Sequence, residues 1–251
     1  MTANEKPIQN NLTSSELLAA IEELREQQKS LQHRLDAEQA QLQQLAKRLW
    51  LQQEHERARL ARELHDDLGQ QLTGIATQLS QLSATDERLT TIYQHVKHAI
   101  ESTRTLSRLL HPTLVHDLGL QAGIQWLGRQ LLAPAGVHLQ LDYNVTHQLE
   151  SDVELFFFRI LQEAMVNTVK YAKASQFEVF FSQSETALLL LLRDNGQGFD
   201  AAQTAYGVGL QSIHDRTQAF DAMLKLTTAP GKGCEIQVQL PYQNVTVEEA
   251  P

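Results

Sequence analysis

The sequence predicts a helical first half followed by an α+β half: a coiled coil, then a helical hairpin that pairs into a dimeric four-helix bundle, then a sheet with helices on one face. Three observations carry this. No proline lies between Pro7 and Pro112, where only Gly69 and Gly74 interrupt a glycine-free run. Six of the twelve glycines fall between Gly196 and Gly233, which places the tight loops in the last third. Aromatic residues are 6% of the chain against 42% hydrophobic, a profile of long helices rather than of a β-sandwich.

The first helix starts at Thr13-Ser14-Ser15-Glu16, where hydroxyls and an acid can cap free amides. Leu17, Ile21, Leu24, Leu31, Leu35, Leu42, Leu45 and Leu49 then keep a heptad, with Gln28 and Glu38 at seam positions. So narrow a stripe suits a coiled-coil seam, not a globular core. The next seam residue, Leu60, comes eleven positions after Leu49, which is a heptad plus a four-residue stutter. Gln52 to Arg59 is polar apart from Ala58, so this junction is expected to be the loosest part of the helix.

A second stripe runs Leu60, Leu64, Leu68, Ile75, Leu79, Leu82, and Thr85-Asp86 marks a turn. The third runs Leu89, Ile92, Val96, Ala99, Thr103, Leu106, Leu110 and stops before Pro112. Their apolar faces are too wide for one partner, so two hairpins should bury them together. Beyond, Leu120–Leu132 reads as a helix, Val137–Tyr143 as a strand and Asp152–Ala172 as a helix. Phe177–Ser182 and Ala187–Arg193 read as strands, and Gly209–Phe220 is helical. Leu224–Thr228 and Glu235–Leu240 form a hairpin across Pro230-Gly231-Lys232-Gly233.

Composition excludes several roles. With 21 basic and 30 acidic residues the chain carries a formal charge of −9, unlike a surface that grips phosphate backbones directly. The longest apolar run, Ala187 to Leu192, is far too short to span a membrane, and no signal peptide is evident. A single cysteine, Cys234, excludes an internal disulfide and fits a reducing, cytoplasmic setting. Trp50 and Trp126 are expected to pack.

Two groups of residues carry chemistry. In Glu63-Leu64-His65-Asp66-Asp67-Leu68-Gly69-Gln70, His65 sits beside the apolar seam, and Asp66 and Gln70 lie one turn apart on one face. An imidazole accepts a phosphoryl group readily near neutral pH, and an adjacent carboxylate can take the ring proton. Glu163, Asn167 and Lys170 share a helix face, where a carboxylate and a carboxamide suit Mg2+ and a lysine suits phosphate; Tyr171 follows. Asp194-Asn195-Gly196-Gln197-Gly198-Phe199 makes a tight turn after a strand. Tyr206-Gly207-Val208-Gly209-Leu210 opens a helix whose amides can meet phosphate. Each glycine pair alone is weak evidence, but the ordered set is strong.

The segment from Glu56 to Asp66, with Gln70, resembles the phosphoacceptor helix of bacterial two-component sensor histidine kinases, in the subfamily whose regulators carry helix-turn-helix outputs. Phe158 to Asn167 is similar to that family's N box, Asp194 to Phe199 to its first glycine box, Gly207 to Arg216 to its second, and Pro230 to Pro241 to its closing hairpin. The resemblance covers roughly Gln53 to Pro241. It implies ATP and Mg2+ in the C-terminal domain and transfer of the γ-phosphoryl to His65, then to an aspartate of a response-regulator receiver domain. By the same resemblance Asp66 is the general base, Gln70 orients water when the regulator is dephosphorylated, and Asn167 ligates Mg2+ with Glu163 beside it. Asp194 receives the adenine amino group, and Gly196, Gly198, Gly207, Gly209 and Leu210 shape the pocket and lid, with Lys170 and Tyr171 at the phosphates. Tyr171 stands where the family usually has His, and Cys234 where Thr is usual.

The expected division is a disordered N-terminus 1–12, a coiled-coil signalling helix 13–52, a dimerisation and histidine phosphotransfer domain 53–112, a catalytic ATP-binding domain 113–241, and a disordered tail 242–251. The expected partners are a second copy of the chain, the response regulator and a separate sensor protein. No nucleic-acid contact and no membrane span are expected. The competing reading is a coiled-coil signalling adaptor with a degenerate nucleotide domain, which a nucleotide-binding assay separates.

Overall fold

The computed structural model describes residues 14–83, 87–146, 149–201 and 207–242. The expected turn at Thr85-Asp86, the N-terminus 1–12, Tyr206 and most of the tail lie outside them. The chain divides into two compact units, Met1–Leu45 and Ala46–Pro251. In the first, the described residues belong to helix α1 (Ser14–Glu63), and the seam residues Leu24, Leu31, Leu35 and Leu42 are all more than half exposed. A leucine stripe of that kind has nothing to bury against within its own helix.

In the second unit a π-helical turn, Leu64–Leu68, carries α1 into α2 (Gly69–Ser83), and α3 (Glu87–Leu110) returns alongside. The Ser107 hydroxyl donates to the Ala61 carbonyl at 2.8 Å, tying the end of α3 to α1. Leu60, Leu68, Ile75, Leu82, Ile92 and Leu106 remain at least 40% exposed, an apolar face that one hairpin leaves uncovered. No helix among the described residues is long and apolar enough to cross a membrane.

Helix α4 (Thr113–Leu127) begins seven residues before the expected start at Leu120. The cause is local: Pro112 opens the segment, and Gly119 at φ 79° interrupts it, so the expected start coincides with the interior break. A π turn (Gly128–Leu132) and a short 3-10 turn (Ala133–Ala135) lead into β1 (His138–Asn144). Then follow α5 (Ser151–Asn167), a third π turn (Thr168–Ala172), β2 (Gln176–Gln183), β3 (Ala187–Asp194), α6 (Val208–Ala219), β4 (Met223–Thr228) and β5 (Cys234–Pro241).

The sheet order is β1-β2-β3-β5-β4, with β1 and β2 parallel and the other pairs antiparallel. Phe177, Val179 and Phe181 on β2, Leu188, Leu190 and Leu192 on β3, and Ile236, Val238 and Leu240 on β5 point to one buried face. Phe156, Phe157, Phe158, Ile160 and Leu161 on α5 are fully buried against it. Helix α5 is therefore held rigidly on the sheet, and its next turn carries Glu163 and Asn167. Trp50 and Trp126 are buried, as their packing role requires.

The polar junction departs from expectation. Glu54, inside the run read as loosest, is 3% exposed and paired with Arg159 of α5. Its neighbour Trp50 packs edge-on against Phe220, which in turn stacks on Phe156. A hydropathy pattern counts Glu54 as solvated, because its partner stands 105 positions away.

Candidate active site

His65, Asp66 and Asp67 are exposed on the π turn between α1 and α2. There the Gly69 amide reaches back five residues to the Leu64 carbonyl, one residue further than in an α-helix. Gln70 is exposed on the first turn of α2. The His65 ring makes no hydrogen bond among the described residues, so it is open to a donor from outside. One turn and more upstream, Arg59 bridges Glu56 and Glu63 on the solvent side; its guanidinium holds the Glu56 carboxyl below the usual range.

The second site lies where α5, the π turn after it, β3, α6 and the β4–β5 hairpin converge. Glu163 and Asn167 project toward the first turn of α6, and a Cβ placed on Gly209 would fall on the Glu163 Oε1 atom and crowd the Asn167 carboxamide. A side chain at position 209 would require Glu163 to swing away from Asn167. The Asn167 Nδ2 atom is buried and has no hydrogen-bond partner among the described residues, an uncommon state for a carboxamide. The unpartnered Asn167 NH2 and a helix N-terminus capped by Gly207 present donors suited to phosphate, and the Asn167 carbonyl and Glu163 carboxylate supply oxygens suited to a divalent cation.

Asp194 ends β3 and is 7% exposed. Its carboxylate accepts from the Gly196 amide at 2.8 Å, and also from the Cys234 amide and the Thr168 hydroxyl. Burial pushes its pKa up, and these three donors oppose that shift. The turn beyond is tied on every side. Gln197 donates its amide to Ala172 O at 2.8 Å, and Gly231 donates to Gln197 O at 2.5 Å. Gly198 (φ 58°) and Gly233 (φ 71°) are left-handed, and a Cβ on either would strike a backbone carbonyl. The Thr228 hydroxyl donates to Gly233 O at 2.8 Å and accepts from Phe199 N at 3.2 Å.

Of the expected residues, Glu163, Asn167 and Gly209 meet directly, and Asp194 and Gly196 share a hydrogen bond. Gly198 belongs to the same knot of turns, Leu210 packs against the core, and Gly207 caps α6. Lys170 and Tyr171 are exposed on the π turn; only the Tyr171 carbonyl is engaged, by the Gln197 side chain at 2.7 Å. Sequence reasoning missed Thr168, Thr228 and the Glu54–Arg159 pair. Only Arg159 left a signal, an arginine set between Phe158 and Ile160 in an apolar run.

Cys234 is half-buried at the base of this site. Burial, then the charges of Asp194 and Glu235, push its thiol up to about 12. Since the thiolate is the reacting species, alkylation of Cys234 by iodoacetamide at pH 8 is expected to run about a hundredfold or more slower than that of a free cysteine. Denaturation should restore the ordinary rate. Mass spectrometry of timed samples checks this, and an ordinary rate in the folded protein contradicts it.

Comparison with known proteins bears on both halves. Residues 56–114 match the family described as "Histidine kinase", and residues 152–244 match "Histidine kinase-, DNA gyrase B-, and HSP90-like ATPase". The chain is 32% identical over 244 residues to the signal transduction histidine-protein kinase/phosphatase UhpB of Salmonella typhimurium, covering 94% of this chain and 48% of that protein. It is 28% identical over 212 residues to the sensor histidine kinase ComP of Bacillus subtilis, covering 78% of this chain and 28% of that one. The chain thus spans less than half the length of either relative. Among solved structures, the blue-light activated histidine kinase of Erythrobacter litoralis EL346 aligns at a TM-score of 0.44 and 16% identity, over 64% of this chain and 62% of that one.

Proposed function

Because this chain belongs to the sensor histidine kinases of bacterial two-component systems, we propose that it phosphorylates itself on His65 and passes the phosphoryl group to an aspartate of a response-regulator receiver domain. The observation that carries the reading is the pairing of an open imidazole at His65 with a separate cradle built on Glu163, Asn167 and Gly209. Bound at that cradle, ATP would supply the phosphoryl group, and Mg2+ would neutralise phosphate charge as the group leaves.

The residues of the chain divide the remaining work. Asn167 and Glu163 hold the cation through oxygen atoms, and the first turn of α6 offers its free amides to the phosphates. Asp194 accepts from the adenine amino group, which explains a buried carboxylate already braced by two backbone amides and a hydroxyl. His65 presents a ring nitrogen as nucleophile, and the adjacent Asp66 holds or takes the proton of the other nitrogen. The exposed faces of α2 and α3 pair with a second copy of the chain, and the leucine seam of α1 extends that pairing. Incubation with radiolabelled ATP and Mg2+ tests the proposal: the label should be acid-labile and alkali-stable, as a phosphohistidine is. Label stable to acid sinks it.

Gln70 belongs to the reverse reaction on the regulator. A carboxamide can donate to and accept from water without titrating, so it can aim a nucleophile at an acyl phosphate. Gln70 is exposed on the turn after His65, on the surface a regulator would share. Gln70→Ala is expected to keep self-labelling within about twofold and to prolong the phosphorylated lifetime of the regulator about tenfold or more. Equal loss of both activities would point to a damaged helix.

A further inference from the structure

We propose that the buried Glu54–Arg159 pair is a latch that pins the ATP-binding half to α1 short of His65 and holds the transfer reaction off. The inference rests on the reading of His65 as phosphoacceptor. Arg159 is 2% exposed and fully engaged. Its Nε donates to both Glu54 oxygens at 3.1 and 3.0 Å, and its Nη2 to Glu54 Oε2 at 2.5 Å. It also donates to Leu109 O at 2.8 Å, Leu110 O at 2.6 Å and the Gln162 side chain at 2.8 Å. One guanidinium thus joins α1, the end of α3 and α5.

The levers on either side of this pin are long. Glu54 lies eleven residues before His65, three helical turns or about 16 Å along α1, which places both on nearly the same face. Asn167 lies eight residues beyond Arg159 on α5, about 12 Å further on. Yet His65 is exposed, and among the described residues no hydrogen bond joins its ring to the ATP-binding half. A second contact holds the same end of the assembly: Phe220, just past α6, packs against Trp50 at 5.0 Å and under the Lys47 ammonium at 4.8 Å.

Beyond that contact α6 stands away from α1. A groove of about 870 Å³ opens there, with Leu49, Gln53 and Leu60 on one wall and Ser212 and Arg216 on the other. Among the described residues the buried Nη1 atom of Arg216 makes no hydrogen bond, while the Glu163 and Glu54 carboxylates act on its charge. Together these describe a body anchored at one end with unfilled space on the side of the helix that leads to His65. An unfilled groove and a buried Nη1 donor left without a hydrogen bond point to a second packing open to these two faces. Releasing the pin frees the half to move toward the histidine.

The test uses the full chain with Trp126→Phe, so that Trp50 is the sole indole and reports the docked contact. Glu54 also pairs with Arg57 at 2.9 Å, so Glu54→Lys sets a third cation against Arg57 and Arg159, and all three are solvated once the halves part; Glu54→Gln removes the charge with little change of shape. In Glu54→Lys, acrylamide quenching of Trp50 is expected to rise about threefold, the initial rate of His65 labelling to rise about fivefold or more, and affinity for a fluorescent ATP analogue to stay within about twofold. Glu54→Gln should fall between. Trp50 that stays protected in Glu54→Lys overturns the latch. So does an exposed Trp50 with labelling unchanged or slower, since the docked placement is then not inhibitory, or a loss of nucleotide affinity, since the pair then only builds α5. A parent protein that never labels His65 sinks the proposed function instead, and the quenching measurement still decides whether the pair holds the halves together.

Discussion

His65→Gln is expected to lower self-labelling by about three orders of magnitude or more while leaving nucleotide affinity within about twofold. Phosphoryl transfer asks a protein mainly for positioning and charge neutralisation, and the proposed function assigns both to residues remote from His65. The acceptor itself is one atom on one imidazole, and glutamine offers no nucleophile in its place. His65 is exposed on its turn and buries nothing, so its replacement should leave the fold intact. Autoradiography with a parallel titration of a fluorescent ATP analogue separates the two effects. Undiminished label in His65→Gln would remove His65 as the acceptor.

The second large effect is expected at Asn167. Its carboxamide nitrogen is buried and makes no hydrogen bond among the described residues, and Gly209 lies against the carboxamide. Asn167→Ala deletes an oxygen ligand without removing a core side chain, and should weaken Mg2+-dependent nucleotide binding about a hundredfold or more. Melting measured by circular dichroism should change little, because the apolar face of α5 from Phe156 to Leu161 is untouched. Equal nucleotide affinity in variant and parent, with label persisting on His65, would show that the cation is held elsewhere.

Much of the architecture was legible in the residues. The proline-free stretch and the apolar stripes marked the long helices, and short apolar or alternating segments bounded by turn residues located all five strands to within a residue or two at each end. Leu139, Leu141 and Tyr143 illustrate why: they alternate with His138, Gln140, Asp142 and Asn144 along β1, and its partner β2 is in the same sheet, so the two-residue period survives in a short window. The cradle was legible because its parts are local boxes, each short enough to carry its own spacing. What escaped is non-local or carried by backbone geometry. Glu54 reads as one more polar residue among Gln52 to Arg59 until Arg159 is brought to it. Thr168 acts only because the π turn after α5 presents its hydroxyl to Asp194. The early start of α4 at Thr113 was hidden because Gly119 breaks the helix from within. Hydropathy cannot distinguish 3.6 from 4.4 residues per turn over five positions, so none of the three π turns was foreseeable.

The π turn at Leu64–Leu68 has a consequence for how this stretch can change over time. A π turn holds one more residue than an α turn, so everything beyond it is rotated by about 100° relative to an uninterrupted helix. Loss of one residue between Arg59 and Gln70 would heal the helix and turn Ile75 and Leu82 away from the face they now share with the residues before His65. A gain of one residue would overturn it in the other sense. Substitutions here alter a side chain, whereas insertions and deletions alter the angular bearing of a whole bundle helix. Length in this segment is therefore under tighter constraint than identity, and drift should be visible as changed letters at unchanged spacing.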